Sequence, residues 1–240
     1  MKTESSLTKK NSAGALSTIN LRGDSGKGAE EIKSDDVSTP ILKILHQLSP
    51  ECNSRSAKHV EGAEPGMIYS NSFGQPMDGD KGIEVIVAHT QTRWPEWQEM
   101  GDSPSAPVGT HLTPPANAKE EMRGIKYRLQ NGNYILTVHQ NYVIIIGENG
   151  AEKALMSMSA SQGKIARKWI SLQKSQTIKD AEGVYTPAPY AFSYHISSVL
   201  NSGKGNQWYG FSVGDPKQVL DASLYKASKD FHVSMNNYDK

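Results

Sequence analysis

The sequence predicts a mainly β fold with a few helices. Several segments alternate apolar and polar residues, which is the pattern of a half-buried strand. Turn-forming residues separate these segments, since the 240 residues include 21 glycines and 12 prolines. Apolar residues recur at helical spacing in only three short segments. No stretch approaches the run of about 18 apolar residues that a membrane helix needs, so we expect no membrane partner.

The first 35 residues are predicted to form a disordered N-terminal arm. Ser, Lys, Gly, Thr and Glu dominate there, and apolar residues occur singly. Such a segment buries too little apolar surface to offset its chain entropy. We therefore expect residues 36–240 to form a single folded domain.

The first predicted element is a short helix near residues 39–48. Ser38 or Thr39 is a suitable N-terminal cap, and Pro40 suits the first helical turn. The apolar residues fall on one helical face, namely Ile41, Leu42, Leu45 and Leu48. Ser49 and Pro50 are expected to end this helix.

Strands are predicted next. Their signals lie at residues 66–69, 83–87, 134–146 and 153–158, with a turn at Asn149 and Gly150 between the last two. Residues 100–118 contain four prolines and are predicted to form a long surface loop.

The second half changes from helix to strand and back to helix. Ile165, Trp169 and Leu172 predict a helix over residues 159–175 that packs on a sheet. Residues 190–200 and 207–213 predict a hairpin, and Asp215 with Pro216 predicts a final helix over about 215–229. This order suits an oligonucleotide/oligosaccharide-binding (OB)-like β-barrel with elaborations and flanking helices, although other barrels and sandwiches share it.

Composition excludes several classes of function. Its 26 basic and 25 acidic residues nearly balance, and the single cysteine rules out an internal disulfide or a cysteine-built zinc site. No signal-peptide core is seen in the first thirty residues, which predicts a cytoplasmic location. No nucleophile elbow, phosphate-binding loop or helical histidine pair occurs. We therefore expect no enzyme activity, no cofactor and no metal; an acidic turn with Asp78, Asp80 and Glu84 is the weak metal alternative.

The strongest functional signal is an acid-free basic stretch. From Lys153 to Lys174 the chain has five basic residues and no acid. Four of them lie on the predicted helix: Lys164, Arg167, Lys168 and Lys174. A solvated helix that happens to lack acids is the structural alternative. The functional interpretation is a surface that contacts phosphates.

Aromatic residues beside cations give the second signal. Trp94 and Trp97 follow a strand, Lys126 and Arg128 flank a tyrosine, and Trp208 with Tyr209 follows the turn at Lys204. Burial in the core is the common fate of a tryptophan, yet flat rings beside cations also suit an unpaired strand, whose bases stack on them. The predicted nucleic-acid-binding residues are therefore Trp94, Trp97, Lys126, Arg128, Lys164, Arg167, Lys168, Lys174, Lys204, Trp208 and Tyr209.

Several motifs together resemble proteins that tailed bacteriophages encode near their replication and recombination genes. They are Pro40-Ile41-Leu42-Lys43-Ile44-Leu45, Leu48-Ser49-Pro50-Glu51, Gly66-Met67-Ile68-Tyr69, Trp94-Pro95-Glu96-Trp97, Ser157-Met158-Ser159, Arg167-Lys168-Trp169, Pro189-Tyr190 and Trp208-Tyr209-Gly210-Phe211. The resemblance covers residues 37–213. Because some proteins of that group are described as single-stranded DNA-binding proteins, it implies that activity here.

The chain departs from single-strand-binding proteins at its C-terminal end. Such proteins commonly end in an acidic tail that recruits partners, whereas residues 215–240 hold four acids and four lysines. We therefore expect no recruitment by an acidic tail.

The leading hypothesis is a sequence-tolerant single-stranded DNA-binding protein of phage replication or recombination. Its expected partners are single-stranded DNA, other phage replication or recombination proteins and further copies of the chain. Two alternatives remain open: a protein-interaction module that inhibits a host enzyme or belongs to the virion, and a metal-dependent enzyme of nucleic-acid metabolism.

Overall fold

The structure, a computed structural model, describes residues 39–99, 106–147, 150–203 and 205–238, with side chains to residue 235 in the last range. The predicted arm over residues 1–35 lies outside these ranges, as do Lys204 and residues 100–105 of the predicted loop. Residues from Thr39 onward belong to one compact unit. No helix in the described ranges is long and apolar enough to cross a membrane.

The described residues are mainly β, as predicted. The strands are β1 (Ile41–Ile44), β2 (Ile68–Ser70), β3 (Pro76–Met77), β4 (Ile83–Trp97), β5 (Gly109–His111), β6 (Lys119–Met122), β7 (Lys126–Arg128), β8 (Tyr134–Leu136), β9 (Val138–Gly147), β10 (Gly150–Ser159), β11 (Ile178–Asp180), β12 (Gly183–Tyr185), β13 (Phe192–Gly203) and β14 (Asn206–Gln218). Two helices, α1 (Gly163–Ser175) and α2 (Ala222–Tyr238), accompany them. Short 3-10 turns lie at Pro50–Cys52, Ala160–Gln162 and Pro189–Ala191.

One large sheet organises the chain around the 15-residue strand β4. Its main path runs β3-β2-β1-β10-β9-β4-β13-β14, and β1 lies parallel to β10 while the other neighbours are antiparallel. The far end of β4 turns to other partners: β5 on one side, and β8 followed by β7 and β6 on the other. Part of the predicted loop over residues 100–118 is therefore a strand, β5.

The two ends of the main path approach each other without forming a ladder. The Ser198 N–H of β13 donates to the Gly79 carbonyl at 2.8 Å. The Tyr209 ring of β14 lies so close to Gly66 that a Cβ added there would be 2.6 Å from it. The sheet is curled but, among the strands described, not closed into a barrel.

The main core lies between the concave face of this sheet and α1. It contains Val85 and Val87 of β4, Val143 and Ile145 of β9, and residues of several other strands. Trp169 of α1 is 1% exposed and meets the Tyr194 ring edge-on at 5.6 Å between centroids. The prediction that Trp169 lies in the helix–sheet interface is confirmed.

Helix α2 covers the opposite face of the sheet. Its buried Phe231 packs with Ile86 and Ala88 of β4 and Ile144 of β9. The alternation of strand side chains between the two faces thus divides the apolar residues between two clusters.

Two predicted helix positions were wrong. Residues 41–44 form strand β1, and the Pro40 carbonyl accepts the N–H of Leu155 in β10 at 2.6 Å. The short apolar run fits both the helical and the strand period. It forms a strand because it pairs with β2 on one side and with β10 on the other.

The start of the final helix was also misplaced. Asp215 and Pro216 lie within β14, where Pro216 pairs with Tyr194. This strand ends the sheet path on its side, and proline is tolerated on an edge strand because its missing N–H breaks no ladder there. The helix begins at Ala222, and the Asp221 carboxylate accepts the N–H groups of Ser223 and Leu224 at 2.7 and 3.1 Å.

The other predicted strands, the helix over residues 159–175 and the hairpin are confirmed, whereas Asn149 of the predicted turn lies outside the described residues. The strand signal at residues 134–158 corresponds to β8, β9 and β10, with β9 and β10 paired from Gly147–Gly150 to Val138–Ser159. The helix over 159–175 corresponds to the turn Ala160–Gln162 followed by α1. The hairpin corresponds to β13 and β14.

Candidate nucleic-acid interface

Helix α1 presents a cationic surface on the side away from the core. The helix buries Gly163, Ala166, Trp169 and Gln173, which recur at three- and four-residue spacing. Its four basic side chains are all exposed: Lys164, Arg167, Lys168 and Lys174. We call these four residues the cationic face.

Within the part of the chain that the structure describes, no ion pair balances the charge of the cationic face. The ion pairs found there involve none of its four members. Lys164 and Lys174 are ten residues apart, which is about 15 Å along a helix. Positive charge is therefore spread along one side of the helix and is available to an anionic ligand.

A row of polar side chains lies under α1 where β4 and β9 pair. Thr92 Oγ1 and His139 Nδ1 are 3.2 Å apart, and Thr90 Oγ1 donates to Asn141 Oδ1 at 3.0 Å. Burial, with the nearby positive charge of Arg167, lowers the pKa of His139, so its imidazole stays neutral at pH 7. The influence of Arg167 on His139 places the cationic face next to this end of the row.

Trp94 lies on the same face of β4 as Thr92. Two residues along a strand share a face and are about 6.6 Å apart. The half-buried indole of Trp94 donates from Nε1 to Thr137 Oγ1 at 3.1 Å. Trp94 is therefore one step along the sheet from the His139–Thr92 pair beside Arg167.

Trp97 points to the other face of β4. The register from Trp94 to Glu96 is regular against β5, so residues three apart alternate between faces. The Trp97 Nε1 atom is buried and has no hydrogen-bond partner among the described residues. The structure therefore does not bring Trp94 and Trp97 together on one surface.

Glu96 fixes the strand between these two tryptophans. Its carboxylate accepts from the side-chain amides of Asn133 and Asn131, and lies 2.8 Å from the His111 ring. These hydrogen bonds, that of Asn133 first, lower the pKa of Glu96. The end of β4 is thus held to β5 and to the turn before β8.

Trp208 and Tyr209 also point to opposite faces, as the alternation along β14 requires. A Cβ added at Gly210 would be 2.2 Å from Gln162 Nε2, so the Gln162 amide covers the side of β14 that Trp208 shares with Gly210. Trp208 therefore points away from the main core that α1 covers, since Phe211 and Val213 of β14 face that core. Tyr209 packs over Gly66 and against the main core instead.

Lys126 and Arg128 already have acidic partners. Lys126 pairs with Glu121 at 3.1 Å, and Arg128 bonds to the carboxylates of Glu99 and Glu121. Both cations also lie near the ring of Tyr134. Their charge is therefore largely balanced within the sheet formed by β6, β7 and β8.

The structure assembles part of the predicted interface. It places Trp94 on the face of β4 that carries the His139–Thr92 pair next to Arg167 of the cationic face. It places five other predicted residues elsewhere or in other contacts, namely Trp97, Lys126, Arg128, Trp208 and Tyr209. Lys204 lies outside the described residues.

Sequence reasoning missed a cleft at the C-terminal end of α1. It measures about 420 Å³ and lies between residues 88–92 of β4, residues 170–174 of α1 and residues 186–189. The available signal was a polar run, residues 89–93, that continues the apolar run 85–88 of the same strand.

The acidic turn considered for a metal has other contacts. Asp78 Oδ1 accepts the N–H groups of Asp80 and Lys81, and Glu84 Oε1 accepts from Lys217 Nζ at 3.0 Å. Within the described ranges, no three His, Cys, Asp or Glu side chains are grouped as a metal site would require.

Comparison with known proteins gives one family. The comparisons with curated proteins and with solved structures returned no match. A family model described as "Pam3 phage gp34-like protein" matches residues 8–239, which is nearly the whole chain. The match supports the predicted phage origin. The chain belongs to the Pam3 phage gp34-like protein family.

Proposed function

We propose that this phage protein is a sequence-tolerant single-stranded DNA-binding protein that coats and protects unpaired strands during phage replication or recombination. The observation that carries the proposal is the cationic face of α1, whose four exposed cations make no ion pair among the described residues. Cations on such a surface contact phosphates and carry no base preference.

Two half-buried tryptophans support the same function. Trp94 lies beyond the His139–Thr92 pair next to Arg167, and Trp208 shares a face of β14 with Gly210, where the Gln162 amide packs. Every base has a flat face, so stacking on an indole adds affinity without selecting a sequence. Phosphate contacts between two stacking positions are the common arrangement for an unpaired strand.

The wider assignment follows from this activity. We propose that the protein acts without enzymatic turnover or cofactor in the host cytoplasm, with phage replication or recombination proteins and further copies of the chain as its other partners. We propose an elaborated OB-like fold for this domain, which the curled sheet crossed by α1 supports, with a sheet whose described strands do not close into a barrel.

Exposed apolar side chains favour the protein-interaction module as the second candidate. Val184 and Tyr185 of β12 are 67% and 46% exposed, and Val199 and Leu200 of β13 are 41% and 54% exposed. Exposed apolar patches commonly mark protein interfaces. This candidate requires no nucleic-acid binding.

Intrinsic tryptophan fluorescence during titration with dT oligonucleotides of several lengths, at two salt concentrations, tests the proposal. We expect quenching that weakens at the higher salt. Trp94→Phe and Trp208→Phe together should remove most of the quenching, whereas the matched control Trp97→Phe should retain it. No quenching at either salt, with capture of one defined host protein, would instead establish the second candidate.

A further inference from the structure

The cleft beside α1 lies along an unpaired edge of β4. On that side β4 pairs with β13 as far as Ile86 and with β5 from Trp94 onward. In the part of the chain that the structure describes, no strand pairs with residues 88–92 there. The segment 186–189 crosses in front of this edge and leaves a cavity of about 420 Å³.

Gln173 brings a buried donor to this cleft. Its side chain lines the cavity and is 6% exposed, and Nε2 has no hydrogen-bond partner among the described residues. Buried polar groups nearly always have a partner. A buried donor without a partner, on a residue that lines a cavity, therefore indicates a position where a ligand can accept a hydrogen bond.

Gln91 borders the same cleft from the other face of β4. Its Nε2 donates to Gln140 Oε1 and to the Tyr142 hydroxyl oxygen, both at 3.0 Å, and Tyr142 belongs to the cluster under α2. These two bonds hold the Gln91 amide on the α2 side. Gln173 is therefore the buried donor on the α1 side of the cleft.

The remaining walls suit a flat ring joined to an anion. Ala88, Ile170, Pro187 and Pro189 give the cavity an apolar lining. Lys174, the last member of the cationic face, also lines it. A cavity of this size, mostly apolar with a few polar groups, is typical of small-molecule sites.

We infer that this cleft receives one unpaired nucleobase of the bound strand, with Gln173 donating to the base and Lys174 contacting the adjoining phosphate. The inference rests on the proposed function. Each base pair presents acceptor atoms at the edges of its bases, so one amide donor accommodates more than one base. The cleft therefore fits a sequence-tolerant protein.

Photo-crosslinking of the full chain with a dT oligonucleotide that contains 5-iodouracil tests this inference. Histidine rings His89 and His232 line the cleft. We expect crosslinked peptides that contain one of them, identified by mass spectrometry. Gln173→Leu, which keeps the volume and removes the unpaired donor, should abolish the crosslink and weaken oligonucleotide binding several-fold.

The controls separate failure of the inference from failure of the proposed function. Gln130→Leu, at an exposed turn, should bind and crosslink as the wild type does. Oligonucleotide binding with crosslinks only outside the cleft, or with Gln173→Leu unchanged, would overturn the inference and leave the proposed function standing. An absence of oligonucleotide binding by the wild type would remove both. A thermal melt of Gln173→Leu at or above the wild-type midpoint shows that its loss of binding is not unfolding.

Discussion

Removing three charges from the cationic face should flatten the salt dependence of oligonucleotide binding. In the triple variant Lys164→Gln, Arg167→Gln and Lys168→Gln, each position is exposed and makes no ion pair among the described residues. Each phosphate contact on a single strand contributes about 0.7 to the slope of log affinity against log salt. Three lost contacts therefore reduce the slope by about 2.1. Between 50 and 200 mM salt, about 0.6 log units, these contacts alone account for an affinity change of about 18-fold.

The assay is the dT titration repeated at four salt concentrations, with affinity rather than quenching amplitude as the readout. A matched triple variant, Lys58→Gln, Lys119→Gln and Lys229→Gln, makes the same change in net charge at exposed sites outside α1 that also make no ion pair among the described residues. Its slope should equal that of the wild type. Equal slope changes in the two triple variants would show that net charge, not the cationic face, controls binding, and our reasoning would be refuted.

Three further predictions concern stability. Gly66→Ala should lower the free energy of unfolding by about 2–5 kcal/mol. A positive φ of 95° costs an L-residue about 1–2 kcal/mol, and overpacking against the Tyr209 ring adds about 1–3 kcal/mol. The control Gly62→Ala, at φ 74° with open space around it, should lower the free energy of unfolding in urea melts by the backbone contribution of about 1–2 kcal/mol alone. Because the pKa of His139 is lowered in the folded state, the unfolded chain binds more protons, and the melting temperature should decrease as pH falls through about 6.5. His139→Asn should remove this dependence of melting temperature on pH. An unchanged dependence would contradict the role of a buried neutral His139. Asp221→Ala should reduce the melting temperature and the helical circular dichroism signal, whereas Asp215→Ala should leave both unchanged; the reverse order would support a helix start at residue 215.

Helix α1 could be predicted because all its local signals agree. Ile165, Trp169 and Leu172 define its packed side, and the intervening cations define its solvated side. The structure keeps this division, with Trp169 buried and Lys164 exposed. Periodicity over three turns is long enough to distinguish a helix from a strand.

The segment that became β1 could not be assigned in the same way. Four apolar residues within residues 41–45 satisfy the periods of both structures. This segment becomes a strand because it pairs with two neighbours, β2 and the parallel strand β10, which are about 25 and 110 residues away in the chain. Such pairing depends on tertiary context, which local periodicity does not contain.

The candidate interface was predictable in its charges but not in its rings. Cations on one helix lie together whatever the rest of the fold does, so the cationic face follows from sequence alone. The orientation of Trp94 and Trp97 depends on whether their segment is a loop or a strand, because only a strand directs residues three apart to opposite faces. Since β5, which pairs with this segment, fell in the predicted loop, that orientation was not accessible.

The polar row under α1 marks the point along β4 and β9 where apolar core residues are replaced by polar ones. Strands β4 and β9 are apolar at Val85, Val87, Val143 and Ile145, then polar where Thr92 pairs with His139 and Thr90 with Asn141. Buried polar side chains stabilise a sheet less than apolar ones of similar volume unless every group is paired. The Asn141 Nδ2 and His139 Nε2 atoms are buried without a partner among the described residues, so this row lowers stability. A sheet needs no such departure for folding, and departures of this kind concentrate at functional sites. We propose that the change of pattern within β4, under α1 and beside the cleft, serves ligand binding there rather than packing.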